Sequence, residues 1–522
     1  MKPISPGRCW RWLRIAVAIV VSGGLLALFA LPAPFNLKAE RLAETQFLPA
    51  VMSAVSWGIV GSLGAFFLLA LLTALFGRVY CSWLCPLSIL QDVIGWCDRV
   101  IRHRARRNYR PQKNYKTLRL TVLTFLAVLW LSGLVLPLAV LEPYTVFGKI
   151  AGTLVRPLNA AINRLALHLP FELPVMTEGM AINTALAGGL LLALCAAVLW
   201  RGRIFCNTFC PAGALLSGLT TGSSWMLKID PERCVHCKLC VKSCKTGCID
   251  LEAGGIDFER CVMCLDCVAE CPKAAVRLVS RRRQRKAELT SPPRADAPAD
   301  PSRRRALAMI GTAGATGYLG AKITRHFTRP APGAVMPPGA GTLENFTSRC
   351  TGCGLCIVNC RGKVLRPAVD EYGLAGFLLP TLQFSGANPG KCEYECNNCT
   401  RLCPTGALFH LTLAQKKRCR LGLAHYEKEL CIAYVDGEPC GACAEHCPTG
   451  ALKMVPGPTP GAPIPQLVPE LCIGCGNCQY ACPVQPLQAI RIHGASPQTL
   501  AADPEEYHRK EAPKEAPAAI PF

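Results

Sequence analysis

Cysteines at short, regular spacings are the residues of this sequence with the clearest chemistry. The chain has 33 cysteines among 522 residues, and most of them fall in Cys-x2-Cys-x2-Cys-x3-Cys runs or close variants. This spacing is typical of [4Fe–4S] proteins, because three close thiolates bind one side of a cluster and a distant thiolate closes it. A structural zinc held by four cysteines is the alternative, but zinc sites rarely come as interlocked pairs of such runs.

Three blocks of these runs predict six [4Fe–4S] clusters, because the fourth cysteine of each run ligates the other cluster of a double-cluster module. The expected ligands are Cys234, Cys237, Cys240 and Cys271 for cluster one; Cys261, Cys264, Cys267 and Cys244 for cluster two; Cys350, Cys353, Cys356 and Cys403 for cluster three; Cys392, Cys396, Cys399 and Cys360 for cluster four; Cys431, Cys440, Cys443 and Cys482 for cluster five; and Cys472, Cys475, Cys478 and Cys447 for cluster six.

The first block departs from the usual run at two positions. Lys245 follows Cys244 where a proline is usual. The segment KTGC that ends at Cys248 matches PTGA at 404–407 and 448–451, so Cys248 fills a small-residue position. We therefore expect Cys248 not to be a cluster ligand.

A second cysteine motif is duplicated. RVYCSWLCPLSIL at 78–90 is similar to RIFCNTFCPAGAL at 203–215. Spacing of four residues places two thiols on one face of a helix, so Cys81, Cys85, Cys206 and Cys210 are expected to meet where the two repeats join. They are candidates for a metal or redox site, and a purely structural motif is the alternative.

Other catalytic signatures are missing from the sequence. It has no glycine fingerprint for a dinucleotide, no nucleophile elbow and no Cys-x-x-Cys-His haem attachment. The net charge of +23 is reduced by about half when six clusters each carry roughly −2, so the charge is weak evidence for a nucleic-acid partner and we expect none. One-electron transfer is the predicted chemistry.

The elements that must position these cysteines include membrane spans. Apolar residues make up 51% of the chain but aromatic residues only 7%, which favours Leu/Ala/Val-rich membrane helices. Four apolar runs, 15–34, 50–76, 120–141 and 181–200, are long enough to cross a bilayer. Lys and Arg concentrate before the first run, between the second and third, and after the fourth. This distribution predicts a cytoplasmic N-terminus and a cytoplasmic chain after residue 201.

An internal basic start, SRRR at 302–305, precedes a short Gly-rich apolar run. Paired arginines before such a run are typical of a twin-arginine export signal. An ordinary fifth helix with a basic flank is the alternative, and both interpretations place the C-terminal half outside. We expect an uncleaved anchor that uses the twin-arginine translocase.

The predicted fold is a membrane all-α four-helix unit with a fifth anchor helix, joined to α+β bacterial-type 2[4Fe–4S] ferredoxin modules. The expected domains are a four-span membrane domain at 1–226, a cytoplasmic ferredoxin domain with two clusters at 227–280, a basic and Pro-rich linker at 281–301, a signal-anchor helix at 302–323, a periplasmic domain with four clusters at 335–495 and a polar tail at 496–522. Such a chain would be a multi-pass protein of the bacterial inner membrane.

Both halves resemble known families. Residues 1 to about 280 resemble the NapH family in their four spans, two Cys-x3-Cys-Pro motifs and double-cluster domain, and residues from about 302 resemble the NapG family in the twin-arginine start, VMPPGA at 335–340 and four cluster motifs. The resemblance implies a quinol dehydrogenase that takes electrons from the membrane quinol pool to a periplasmic cytochrome c or a terminal reductase such as nitrate reductase. Nothing in the sequence specifies nitrate, and fusion of the two subunits departs from the usual pattern.

Three further expectations concern function. Glu142, beside Tyr144 at the end of the third apolar run, is a candidate acceptor of a quinol proton, although a helix-end carboxylate is the simpler interpretation. The cysteine motifs of the membrane part also resemble those of a family that reduces copper during oxidase assembly. A metal-reducing maturation factor is therefore the alternative function, and a redox sensor that controls transcription is a third.

Overall fold

The computed structural model of the chain describes residues 6–31, 40–57, 60–103, 109–158, 161, 178–251, 255–281, 302–326, 331, 333–386 and 389–511. It divides into two compact units, Met1–Leu173 with Ile182–His326, and Pro174–Ala181 with Phe327–Phe522. Nearly all of the predicted linker at 281–301 and the last eleven residues of the predicted tail lie outside the described residues.

The first unit begins with helices. They are α1 Pro6–Ala30, α2 Glu40–Glu44, α3 Phe47–Trp57, α4 Val60–Phe76, α5 Tyr80–Trp83, α6 Pro86–Ile101, α7 Lys116–Leu131, α8 Leu136–Leu141, α9 Pro143–Ile150 followed by a π-helical turn at Ala151–Val155, α10 Glu178–Arg201, α11 Ile204–Thr208 and α12 Pro211–Thr220. Within the described residues, Gly7–Ala30 and Glu178–Arg201 are long and apolar enough to cross a membrane. They correspond to the first and fourth predicted spans.

The second and third predicted spans are not single helices. Residues 50–76 are divided between α3 and α4, which pack side by side, with the Phe47 and Phe66 ring centroids 6.3 Å apart. Glycines at 58, 61 and 64 weaken a continuous helix there. In the third run Gly133 ends α7 with a left-handed φ of +89°, a conformation that only glycine adopts without strain. Residues 136–141 then form the separate helix α8.

The predicted anchor forms the long helix α15, Ser302–His326, which packs against α7. A Cβ on Gly317 would lie 3.3 Å from the Phe125 carbonyl oxygen, so small residues on α15 allow close approach of the two helices. The helix is not among the described helices apolar enough to cross a membrane. The side chains of its basic start, Arg303 to Arg305, lie outside what the structure describes.

A small α+β module completes the first unit. Its elements are β1 Trp225–Ile229, α13 Leu239–Ser243, β2 Ile249–Asp250, β3 Gly255–Ile256, α14 Asp266–Glu270 and β4 Val276–Ser280. Strands β1 and β4 pair antiparallel from Trp225 with Ser280 to Ile229 with Val276. This pairing joins the two ends of the module and brings its two cysteine runs together.

The second unit repeats this architecture. Its elements are α16 Leu343–Arg349, α17 Leu355–Val358, β5 Leu365–Pro367, β6 Pro380–Leu382, α18 Asn398–Arg401, α19 Leu413–Arg418, β7 Cys419–Tyr426, α20 Ile432–Val435, α21 Ala442–Glu445, β8 Leu452–Val455, β9 Ile464–Leu467, α22 Asn477–Ala481, β10 Ile490–Leu500 and α23 Pro504–Glu511. The antiparallel pairs are β5 with β6, β7 with β10, and β8 with β9. Strand β10 continues past residue 495, where the sequence suggested that a polar tail begins, because Leu500 still pairs with Cys419.

Candidate iron–sulfur and cysteine sites

The cage for cluster one lies at one end of the β1–β4 strand pair, beside Ile229 and Val276. Its cavity is lined by Cys234, Cys237, Cys240 and Cys271, the four ligands that the crossed pattern assigns. Burial raises the pKa of the Cys240 thiol to about 11, and the nearby Cys271, Cys234 and Cys237 thiols add to this increase. The Ala275 amide donates to the Cys271 sulfur at 3.2 Å. The structure therefore brings the predicted set together.

The cage for cluster two holds one thiol more than expected. Burial raises the pKa of Cys267, and the thiols of Cys264, Cys244 and Cys248 raise it further. The sulfurs of Cys244 and Cys248 are 3.5 Å apart, and Cys248 also lies beside Cys261. Five thiols thus surround a place where a [4Fe–4S] cluster needs four.

The loops that carry the first three cysteines of clusters one, two, three and six share an unusual backbone. In the first unit His236 and Lys238, on either side of the second cysteine of their run, have φ of +51° and +56°. In the runs of clusters three and six the equivalent residues are glycines, for example Gly352 and Gly354 with φ of +64° and +79°. A left-handed residue on each side of a cysteine turns the chain around a centre, and successive N–H groups then point inward as in other anion-binding nests. The non-glycine residues adopt this conformation at an energetic cost.

In the second unit, clusters three and four share one module. Burial raises the pKa of the Cys356 thiol well above its usual value. The charges of four neighbouring thiols raise this pKa further, those of Cys350, Cys353, Cys399 and Cys403. The cavity of cluster four is lined by Cys360, Cys392, Cys396 and Cys399. The longer first gap of the cluster-four run therefore still allows its cysteines to converge.

Clusters five and six form the second module of this unit. One cavity is lined by Cys431, Cys440, Cys443 and Cys482, and the other by Cys447, Cys472, Cys475 and Cys478. Each cavity therefore brings together the four cysteines that the crossed pattern assigns to its cluster.

The contacts between cages define their order. Cys356 of cluster three lies beside Cys399 of cluster four, and Cys478 of cluster six lies beside Cys443 of cluster five. The two modules meet at clusters four and six, where the Cys392 amide donates to the Cys475 carbonyl at 3.0 Å. The cages therefore follow the order three, four, six, five.

Three of the cages have a threonine hydroxyl beside a ligand sulfur. The hydroxyl of Thr246 is 3.5 Å from the Cys244 sulfur. Thr405 and Thr449 lie 3.7 Å from the sulfurs of Cys403 and Cys447. Each threonine is the second residue after the fourth cysteine of its run, and hydrogen bonds to ligand sulfurs are one control of cluster potential.

The spacing of the thiols separates a cluster from a single ion. Zinc draws its thiolates to about 2.3 Å from one centre, whereas each thiolate of a [4Fe–4S] cluster binds a different iron. Outside cage two, where the Cys244 and Cys248 sulfurs are 3.5 Å apart, the described Cys, His, Asp and Glu side chains form no group of three close enough to hold one metal ion. This spacing suits iron–sulfur clusters.

The duplicated motif builds a separate four-thiol site. Cys81, Cys85, Cys206 and Cys210 are each about 5% exposed or less. Burial raises the pKa of the Cys85 thiol well above its usual value. The charges of the neighbouring Cys206, Cys81 and Cys210 thiols raise this pKa further. Cys85 and Cys210 are the N-cap residues of α6 and α12. The Gly213 amide donates to the Cys210 sulfur at 3.3 Å.

Two arginines of the motif, which the sequence did not single out, complete this site. Arg78 and Arg203 are 0% and 2% exposed, and each reaches into the other repeat. Arg78 donates to the Cys206 carbonyl at 3.0 Å, and Arg203 donates to the Cys81 carbonyl at 3.4 Å. The signal was present, since both arginines stand three residues before the first cysteine of their repeat. Their two buried positive charges offset the negative charge that thiolates or a cluster would carry.

Glu142 has a structural role in this fold. It is 1% exposed and is the N-cap of α9. Its carboxylate accepts hydrogen bonds from the amides of Tyr144, at 3.0 Å, and Thr145. A carboxylate in this position stabilises the helix start, so helix capping accounts for the residue, and proton acceptance from quinol stays a prediction.

Comparison with protein-family models supports iron–sulfur binding at several places. A model described as a 4Fe-4S binding domain matches residues 57–108 and 182–223, which contain both copies of the duplicated motif. A 4Fe-4S dicluster domain matches residues 438–485. Further 4Fe-4S binding domains match residues 227–250 and 347–366.

Characterised relatives match about a third of the chain. The methylamine utilization ferredoxin-type protein MauM of Methylobacillus flagellatus is 32% identical over 203 residues, which are 37% of this chain and 79% of MauM. The ferredoxin-type proteins NapF and NapG of Escherichia coli K12 are 30% and 28% identical, over 32% and 33% of this chain and 90% and 78% of their own lengths. No solved structure matches the chain.

Proposed function

Because the chain belongs to the family of ferredoxin-type 4Fe–4S proteins that includes MauM and NapF, we propose that this electron-transfer protein oxidises quinol at the cytoplasmic membrane. Electrons would leave through the second unit to a periplasmic cytochrome c or terminal reductase. The single observation that carries this proposal is the continuous order of cages three, four, six and five.

When bound, the clusters supply one-electron transfer at each of six places. The chain's own residues hold the loops around the clusters and bury or half-bury every assigned ligand except the exposed Cys237. Cages three and five stand at the ends of the series, so we assign them the exchange of electrons with other centres. Cages four and six each have two neighbours and serve transfer within the unit.

The four-thiol site is our candidate for a redox centre next to the first module. Ser82 and Trp83, which follow Cys81, both donate to the Met263 carbonyl, at 3.3 Å and 3.4 Å. Met263 lies between two ligands of cluster two, Cys261 and Cys264. The site therefore adjoins cluster two, and an electron on that cluster has a near neighbour in the helical part of the chain.

The experiment is a redox titration of the purified full-length protein with a menaquinol analogue, followed by EPR and compared with iron content. We expect quinol to reduce clusters in proportion to the iron present. Absence of any quinol-reducible iron in protein that dithionite still reduces would contradict the proposal.

A double variant tests the route. Replacement of Cys81 and Cys206 by Ser should stop quinol-driven reduction of the clusters in the second unit, while dithionite reduction and the iron of the six cages remain. Unchanged quinol-driven reduction of those clusters would remove the four-thiol site from the route.

A metal-reducing maturation factor is the second candidate, and the four-thiol site is the feature that favours it, because soft thiolates suit Cu(I). This function requires the thiols to close around one ion, and the described side chains do not stand at that spacing. Stoichiometric copper binding that is lost in the Cys81 and Cys206 variant would support it.

A further inference from the structure

A large cavity in the first unit lies outside every cysteine site described above. It has a volume of about 710 Å³ and lies among α1, α6 and the ferredoxin module. Pockets of 300–1,000 Å³ with a few polar groups and mostly apolar walls are typical of sites for small organic molecules. The cavity has both kinds of surface, at different places.

The floor of the cavity is a network of paired charges. The Lys245 ammonium lies 2.8 Å from Asp92 and 3.1 Å from Asp266. Arg203 and Arg14 also approach Asp92, at 2.7 Å and 3.5 Å. Burial alone would raise the pKa of Asp92, but Arg203, Lys245 and Arg14 together lower it, so the carboxylate accepts hydrogen bonds. Lys245, which follows Cys244 where a proline is usual, therefore forms two ion pairs in this network.

The walls are apolar and open. Trp12, Ile19, Val93 and Trp96 line the cavity and are 68%, 64%, 48% and 55% exposed. Trp12 and Ile19 belong to α1, one of the two described helices apolar enough to cross a membrane. Tryptophans near the end of a span are typical of the lipid–water interface, so this face suits a molecule with a hydrocarbon tail.

Two charged residues of the floor are sequence neighbours of cluster-two ligands. Lys245 follows the ligand Cys244, and Asp266 precedes the ligand Cys267. A molecule seated on these two side chains lies beside the cluster-two cage. A site for a membrane quinol must place its ring near a redox centre and must offer an apolar surface to its hydrocarbon tail. This cavity has both features.

We infer that this cavity binds the head group of a quinol, with its isoprenoid tail along Trp12, Ile19 and Trp96 and its hydroxyls on Asp92 and Lys245. The inference rests on the proposed function and names the place of its substrate. In the reaction both quinol O–H bonds break and the ring becomes a quinone. The two electrons reduce two oxidised [4Fe–4S] clusters of the first module, one electron each, and the two protons leave to water at the open mouth.

A phospholipid is the competing occupant, since Arg99 and Lys242 also line the cavity. The charges on the floor favour quinol, because the cations nearest to it are already paired with Asp92 and Asp266. A neutral head group that both donates and accepts hydrogen bonds matches such a floor better than a phosphate.

Two variants of the full-length protein test the site. Val93→Trp fills the cavity from an exposed wall position, and Lys245→Pro restores the residue usual after the fourth cysteine while removing the ammonium. Val100→Trp is the matched control, because Val100 lies on the same helix, is 47% exposed and is not among the lining residues. Iron content and the EPR spectrum after dithionite reduction establish that the clusters are intact.

The readouts are the rate of cluster reduction by decylubiquinol and the calorimetric affinity for decylubiquinone. We expect both test variants to lose at least tenfold in rate and in affinity, and Val100→Trp to match the wild type. If quinol reduces the wild type and both variants equally, the site is wrong and the proposed function stands. If the wild type binds decylubiquinone but is not reduced, the proposed function fails, and loss of binding in the variants still supports the site. Co-purified phospholipid that is lost in Lys245→Pro, with no quinone binding, overturns the inference.

Discussion

At the scale of single residues, the threonines beside ligand sulfurs distinguish cages with the same ligand set. Thr405 and Thr449 are placed to donate to sulfurs of clusters three and six. A donor to sulfur favours the reduced cluster, because that form carries more negative charge. Cages four and five have Gly362 and Val484 at the corresponding positions, and neither side chain has a hydroxyl. The potentials of the four cages are therefore expected to differ although every ligand is cysteine.

Replacement of Thr405 or Thr449 by Val should lower the midpoint potential of cluster three or six. A hydrogen bond contributes about 1 kcal/mol, which corresponds to about 40 mV for one electron. EPR-monitored redox titration measures the shift. Thr347→Val is the control, because the Thr347 hydroxyl donates to the Leu343 carbonyl and not to sulfur. An equal shift in the control variant would contradict this assignment.

Cys248 is the second prediction at this scale. We expect Cys248→Ala to keep the full iron content, because Cys244 is the assigned ligand. The 3.5 Å approach of the two sulfurs predicts that Cys244→Ala also keeps cluster two, with Cys248 taking over. Only the double variant should lose about four iron atoms per chain. Iron analysis of the three variants checks this prediction. Complete loss of the cluster-two iron in Cys244→Ala would show that Cys248 does not replace Cys244 as a ligand.

At the scale of elements, the cysteine cages could be predicted from sequence and the charged network could not. Cage ligands follow a local spacing with one distant partner, so the sequence alone places Cys234 and Cys271 in the same cage. The network joins Arg14, Asp92, Arg203 and Lys245, which no repeat or period connects. The breaks after α3 and α7 were also missed, because glycines in an apolar run weaken a helix without fixing where it ends.

The two buried arginines give a prediction about these elements. Arg78 and Arg203 occupy equivalent places, but Arg203 alone pairs with Asp92, at 2.7 Å. Arg203→Met removes one of the positive charges that compensate the largely buried Asp92 carboxylate. It should therefore lower the free energy of unfolding by about 3 kcal/mol. Arg78→Met is the matched comparison and should lower the free energy of unfolding by less. Thermal unfolding of the detergent-purified variants measures the difference, and a larger loss for Arg78→Met would reverse the assignment.

At the scale of the whole molecule, the order of cages matters more than their number. The sequence predicts two modules in the second unit but does not say which clusters face each other. The bond from the Cys392 amide to the Cys475 carbonyl supplies that information. Four cages without a known order give only a capacity for electrons, whereas an order gives a path between two ends.

The order predicts an unequal pattern of magnetic coupling between reduced clusters. Cluster six has two neighbours, so Cys478→Ser, which disrupts it, should remove coupling from the signals of both clusters four and five. Cluster three has one neighbour, so Cys353→Ser should change the signal of cluster four alone. EPR spectra of the fully reduced variants, with iron content as the control for the remaining cages, separate these cases. A change in the cluster-five signal on loss of cluster three would contradict the order, because those cages stand at opposite ends of it.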